Sequence, residues 1–176
     1  MGASRVSVHI RQVHGAVHRN IRVLQHTELP FVHTKAVSAV TAKKQDFPQS
    51  VVEVSSTFVD IFNQAIAAEA NGLTQLVGIG LRKALEFLIK DFSAHQHPDD
   101  TEKIKNMLLG PCINAYVTDQ NVKDCAKRAA WLGNDETHYI RKWEDKDISD
   151  LKLLVRLTTN WVDNVLLTQK YVADMQ

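Results

Sequence analysis

Apolar side chains from Pro48 onward recur at spacings of three and four residues, the period of a helix with one buried side. Val51, Val54, Phe58, Ile61, Phe62, Ala65 and Ile66 trace a first stripe, predicting one helix that opens at Phe47-Pro48 and ends near Asn71-Gly72. Pro48 suits a first helical turn, where its missing N–H costs nothing. The run LTQLVGIGLRKALEFLIKDF places Leu73, Leu76, Val77, Leu81, Ala84, Leu85, Leu88, Ile89 and Phe92 on a second stripe. Its interior glycines, Gly78 and Gly80, each cost about 1 kcal/mol against alanine. A helix usually tolerates that only where another backbone passes close.

HQHPDD reads as a loop, and Asp99 or Asp100 as the cap of a shorter helix through Met107 and Leu108, broken at Gly110-Pro111. A further helix is expected over about 119 to 132, with Val122, Cys125, Ala126, Ala129 and Leu132 inward. The last opens at Asp147, a good N-cap residue, and stripes Ile148, Leu151, Leu154, Val155, Thr158, Trp161, Val162 and Val165. Residues 1–46 differ in kind. Val6, Val8 and Ile10 alternate with polar residues, Ile21 and Val23 do so again, and Gly15 lies between them. That two-residue period fits a short β-hairpin or irregular arm. The expected architecture is an all-α, antiparallel bundle of four or five helices over 47–176, preceded by the arm at 1–46.

Composition changes this picture little. A chain of 176 residues with 44% hydrophobic content can bury a core as about one domain. No run approaches the roughly 20 apolar residues of a membrane span. The start, MGASRVSVHIRQVHG, lacks the apolar centre and cleavage site of a signal peptide. Two cysteines, Cys112 and Cys125, argue against a disulfide-framed secreted module. A cytoplasmic protein is expected.

Charge adds an asymmetry that the net value of +1 hides. Residues 1–45 carry seven basic groups (Arg5, Arg11, Arg19, Arg22, Lys35, Lys43 and Lys44) against Glu28, a net of +6. The remainder carries 14 basic and 19 acidic groups, a net of −5. Such a head can contact the phosphates of RNA or DNA. Equally, it can lie on the acidic body or on a second copy.

Three places hold candidate chemistry. The first is GNDETHYIRKWEDKD at 133–147. His138 suits proton transfer near neutrality, Asn134 and its neighbours surround it with donors and acceptors, and Arg128 stands upstream. A His with an Arg is the minimum set for cleaving a phosphodiester without metal: imidazole moves the proton, guanidinium holds the phosphate charge. The alternative is structural, with Asn134 and Asp135 capping a helix that begins after Gly133 and His138 bonded to backbone. The second is RKALEFLIKD, where Arg82–Glu86 and Glu86–Lys90 are ordinary i,i+4 ion pairs. Arg82 also follows Gly78 and Gly80, so it can reach a polar pocket where another segment approaches. GNDETH is expected to be a helix break that places His138 and Asn134 at a pocket or dimer seam facing Arg82. The third is the head, holding His9, His14, His18, His26 and His33. His14 and His18 would align only if helical, and no carboxylate or cysteine accompanies them. No metal site and no cofactor is expected.

The body also resembles a bacterial domain-of-unknown-function family whose members occur alone or appended to restriction-type endonuclease subunits. The ordered segments are FPQSVVE, FNQAIAAEANGL, GIGLRKALEFLIKDF, LLGPCIN and AKRAAWLGNDETHYIRKWEDKDISDLKLLV, spanning about residues 47–165. That family looks like a branch of the HEPN superfamily of helical bundles, which includes metal-independent RNases of toxin, abortive-infection and CRISPR systems. There an Arg and a His shortly after it converge at a dimer interface. His138 fits the His position and Asn134 the polar residue that often follows the Arg, while Gly133 stands where the Arg would be. The resemblance thus implies a homodimeric, non-catalytic or weakly catalytic module in bacterial defence or nucleic-acid metabolism. Its partner would be RNA, DNA, or a restriction endonuclease or toxin–antitoxin protein. The alternative is an endoribonuclease using His138 with Arg82 or Arg128.

Overall fold

The computed structural model describes residues 42–175 of the chain. The expected N-terminal hairpin, with its five histidines, falls on residues outside this range. The described residues contain helices and no strand. Seven α-helices follow in order: α1 (Gln49–Val54), α2 (Ser56–Ala70), α3 (Thr74–Gln96), α4 (Thr101–Asn106), α5 (Leu109–Tyr116), α6 (Gln120–Asp135) and α7 (Ile148–Asp174). The all-α expectation holds here, with more segments than the four or five predicted.

Two departures account for the extra segments. The stretch read as one helix from Pro48 to Asn71 is two, because Ser55 leaves helical geometry at φ −143° and ψ 71°. Its N–H still bonds Val51 O at 2.8 Å, and its hydroxyl donates to the Asp91 carboxylate on α3. Serine competes with the helix in this way wherever a side-chain acceptor is at hand. The bend lets α1 meet α7, where the Ser50 hydroxyl donates to Asp163. The second departure is Gly110-Pro111, read as a break and found inside the first turn of α5. Proline is well tolerated there, since first-turn N–H groups have no intrahelical partner. Leu108, read as the end of the preceding helix, is instead the N-cap position of α5.

α3 is the axis of the fold and touches every other helix. Val77, Leu81, Ala84, Leu85, Leu88, Ile89 and Phe92 are buried along it. Leu73 and Leu76, placed on the same stripe by the sequence, are 53% and 54% exposed, so the buried side of α3 begins at Val77. Phe58 and Phe62 from α2 and Leu151, Val155 and Val162 from α7 close the core around it. Phe47 joins ahead of α1, with ring centroids 4.9 Å from Phe58 and 5.1 Å from Phe62 in edge-on geometry. Phe92 and Trp161 meet edge-on at 5.1 Å, fixing α3 beside α7.

The helix ends follow local rules. Gly72, with φ +74°, turns the chain after α2, and Leu73 N–H reaches back to Ala68 O at 2.9 Å. Asp119 caps α6 by accepting from Val122 N–H at 2.9 Å. Asp147 caps α7 by accepting from Ser149 and Asp150, while Asp150 returns a bond to Asp147 N–H. Hydrogen bonds from those amides hold the Asp147 carboxyl below the usual carboxylate range. No described helix is long and apolar enough to cross a membrane.

Glycines set the closest approaches. A Cβ on Gly80 would lie 2.8 Å from Ala65 Cβ and 3.5 Å from Ala65 Cα, so α2 and α3 meet nearly backbone to backbone. This is the close passage the interior glycines predicted. Gly110, by contrast, has nothing within 4 Å of such a Cβ. Gly80→Ala is therefore expected to destabilise the fold by about 1–3 kcal/mol through overpacking, despite alanine's better helix propensity. Gly110→Ala is expected to be neutral or stabilising by up to about 1 kcal/mol. Urea unfolding of the two variants separates these outcomes, and equal stabilisation of both would show that the α2–α3 contact is not tight.

Candidate functional site

The end of α6 locks into α3 through two glycines. A Cβ on Gly133 would lie 2.5 Å from Arg82 Cβ, and one on Gly78 would lie 2.5 Å from both Glu136 Cβ and Cγ. The Arg82 stem thus crosses α6 where α6 has no side chain, and the Glu136 stem crosses α3 where α3 has none. Guided this way, Arg82 Nε donates to Asn134 Oδ1 at 3.0 Å and Nη1 to Glu86 Oε2 at 3.0 Å. Lys90 Nζ reaches the other Glu86 oxygen at 2.7 Å and also donates to Lys105 O at 3.1 Å. Burial pushes the Glu86 carboxyl up, but the bonds and charges of Lys90 and Arg82 outweigh it and leave it below its ordinary value.

Beyond α6 the chain turns into a clamped loop. The helix does not break at Gly133, as the sequence suggested, but runs on to Asp135. Nor do Asn134 and Asp135 cap a following helix, since α7 begins only at Ile148. Asp135, 6% exposed, instead accepts from Lys142 N–H at 2.8 and 3.0 Å and from Trp143 N–H at 2.9 Å. Those two amides hold its carboxyl below the usual carboxylate range, with smaller contributions from the charges of Arg141 and His138. Arg141 completes the clamp. Its Nη2 lies 2.7 Å from Glu136 Oε1 and donates to Lys146 O at 2.6 Å, and its Nε stands 4.0 Å from Asp135 Oδ2.

This loop carries Trp143 and Lys146 to a cleft of about 310 Å³ against α6 and α7. Arg128 and Trp131 of α6 and Asp150 and Leu153 of α7 form its other walls. Trp131 is 51% exposed and Trp143 37%. Lys142 Nζ lies 5.4 Å from the centroid of the Trp143 ring.

Of the four residues singled out from sequence, Arg82 and Asn134 are brought together directly. His138 follows on the exposed corner. Its N–H bonds Asp135 O at 3.1 Å, and its imidazole makes no hydrogen bond to another described residue. Arg128 belongs to the cleft; its Nη1 donates to Asp124 O at 3.0 Å and stands 3.8 Å from the Asp124 carboxylate. Sequence reasoning missed the part played by Asp135, which looked like a helix cap, and missed the cleft. A signal for the cleft existed: Trp131 falls off the inward set Val122, Cys125, Ala126, Ala129 and Leu132, so a large aromatic stands on the outer side of α6. No group of His, Cys, Asp and Glu among the described residues could hold a metal ion. No family model, curated protein or solved structure matches the chain.

Asp135→Ala is expected to lower the melting temperature at neutral pH and to remove hydrogen-exchange protection from the Lys142 and Trp143 amides. The Asp135 carboxyl titrates lower folded than unfolded, so its contribution is complete above the ordinary aspartate pKa and is lost as pH falls through the depressed one. The melting difference between parent and variant should therefore close in acid. A gap that persists unchanged there would show that the carboxylate charge is not what holds the loop.

Proposed function

We propose that the chain is a non-catalytic, dimerising helical module of the HEPN-like kind, acting in bacterial defence or nucleic-acid metabolism by contacting RNA or an endonuclease partner. The observation that carries the non-catalytic half is the state of Arg82. Its guanidinium is engaged by Asn134 at 3.0 Å and neutralised by Glu86 at 3.0 Å, with the side chain only 21% exposed. A phosphate entering there would compete with the Glu86 carboxylate for the guanidinium and be repelled by its charge. Gly133, standing where the resemblance places the catalytic Arg, accommodates the Arg82 stem, so a side chain at 133 and the present packing exclude each other.

One observation favours the endoribonuclease alternative: Asn134, Asp135 and an exposed His138 lie within one turn beyond the Arg82 contact. The two readings part on a single assay. Purified protein at high concentration is incubated with mixed RNA in EDTA. The expected result is intact RNA. Cleavage that disappears in His138→Ala and in Arg82→Ala or Arg128→Ala would overturn the non-catalytic reading. Arg82→Lys is expected to lower stability without creating or removing activity, since an ammonium cannot serve Asn134 and Glu86 with the fixed fork of a guanidinium.

A further inference from the structure

The cleft beside the clamped loop combines features that the interior of a helical bundle does not need. Two indoles, Trp131 and Trp143, stand on its walls rather than in the core, each more than a third exposed. Leu153 supplies a further apolar wall. Arg128 and Lys146 line the same space, and Lys142 lies against the Trp143 ring. The single acid on the walls, Asp150, is already engaged, its Oδ2 accepting from Asp147 N–H at 3.0 Å.

We propose that this cleft takes one unpaired base of single-stranded RNA, stacked on the tryptophans, with its phosphate held by Arg128 and Lys146. The inference rests on the nucleic-acid half of the function proposed above and gives it a surface. Size, charge and chemistry select this occupant. A volume of about 310 Å³ sits at the lower end of the range of about 300–1,000 Å³ typical of small-ligand sites, room for one ring system and its sugar rather than a partner's helix. Every base offers a π-face, and stacking on an aromatic side chain is worth about 1–3 kcal/mol. Three cations around two indoles fit an aromatic ring that carries negative charge, where an aromatic residue of a protein would bring none. Arg128 and Lys146 do have acidic neighbours, Asp124 at 3.8 Å and Asp145 at 3.4 Å. Exposed pairs of this kind are weak, and a phosphate can replace them.

The clamp explains how the site would be ready before its ligand arrives. Asp135 holds the backbone of Lys142 and Trp143, and Arg141 holds Lys146 O. Both ends of the rim segment are thereby fixed to the end of α6, which carries Trp131 and Arg128.

The test uses the full chain carrying Trp161→Phe, which leaves the two cleft tryptophans as reporters, titrated with short oligoadenylate at low salt. Saturable quenching of tryptophan emission is expected. Trp131→Leu should weaken binding by about fivefold to a hundredfold. Lys146→Ala should lower the slope of log affinity against log salt by about 0.7. Trp143→Leu should behave like Trp131→Leu, and Trp131→Leu alone decides if the loop variant does not fold. Oligoadenylate binding that is indifferent to Trp131→Leu would overturn the cleft while leaving RNA contact elsewhere intact. Adenosine monophosphate binding as tightly as the oligomer would reassign the cleft to a free nucleotide. A parent chain that binds no RNA at low salt would overturn both the cleft and the nucleic-acid half of the proposed function.

Discussion

Two glycines on facing segments, each receiving the stem of a side chain from the other, hold the last turn of α6 against α3. Gly133 receives Arg82, and Gly78 receives Glu136. Gly78 and Arg82 are one turn apart on α3, as Gly133 and Glu136 are at the end of α6, so the two contacts form one interlock. It fixes more than helix separation. By setting where the Arg82 stem runs, it delivers the guanidinium to Asn134 and Glu86. By setting where Glu136 sits, it delivers a carboxylate to Arg141, and through Arg141 it reaches the loop at Lys146. A helix-propensity cost of about 1 kcal/mol for each glycine is the local penalty for that geometry.

Much of the fold follows from period and caps alone. The buried sides of α2, α6 and α7, and of α3 from Val77 onward, follow the three-and-four spacing, and Asp147 is the N-cap its position suggests. What the spacing does not carry is any interaction whose partner is distant in sequence. At Ser55 the helix breaks where Asp91, 36 positions later, accepts a hydrogen bond from its hydroxyl. Nothing in VVEVSSTF announces that acceptor. Gly110-Pro111 reads as a stop from one side and as a first turn from the other, and only the preceding backbone decides which. Gly133 looked like a helix end for the same reason. Glycine after an apolar run marks a C-terminus or a close crossing, and the sequence around α6 supports both.

The site was half legible for related reasons. Asn134 opposite Arg82 could be anticipated because Gly78 and Gly80 mark α3 as a surface approached closely just ahead of Arg82, whereas His138, expected at the same place, stands on the exposed corner. The work of Asp135 could not, since its partners are backbone amides of Lys142 and Trp143, which carry no side-chain signature. An acid just past a glycine, in a segment rich in polar residues, most economically suggests a cap for the next helix. Here it caps a loop instead, and the next helix has its own Asp147.

A guanidinium whose charge is already met by a close carboxylate attracts a phosphate less than one with a distant partner, and this chain has several arginines in different conditions. Arg82 is clasped by a carboxylate and an amide, and Arg141 is spent on the loop. Arg128 alone among these three lines the cleft, and its one carboxylate partner among the described residues, Asp124, is 3.8 Å away on an exposed turn of α6. The polar corner from Gly133 to Asp147 thus uses its charges mainly to hold itself in shape. Under the binding role proposed for the cleft, that expenditure has a use. Ordering a side chain on association costs about 0.5–1.5 kcal/mol, and a loop already fixed through Asp135 and Arg141 presents Trp143 and Lys146 with part of that cost removed. On that role, the elaborate corner is a rigid mount: Asp135, Glu136 and Arg141 are taken up in holding it in shape, and its output is the position of Trp143 and Lys146.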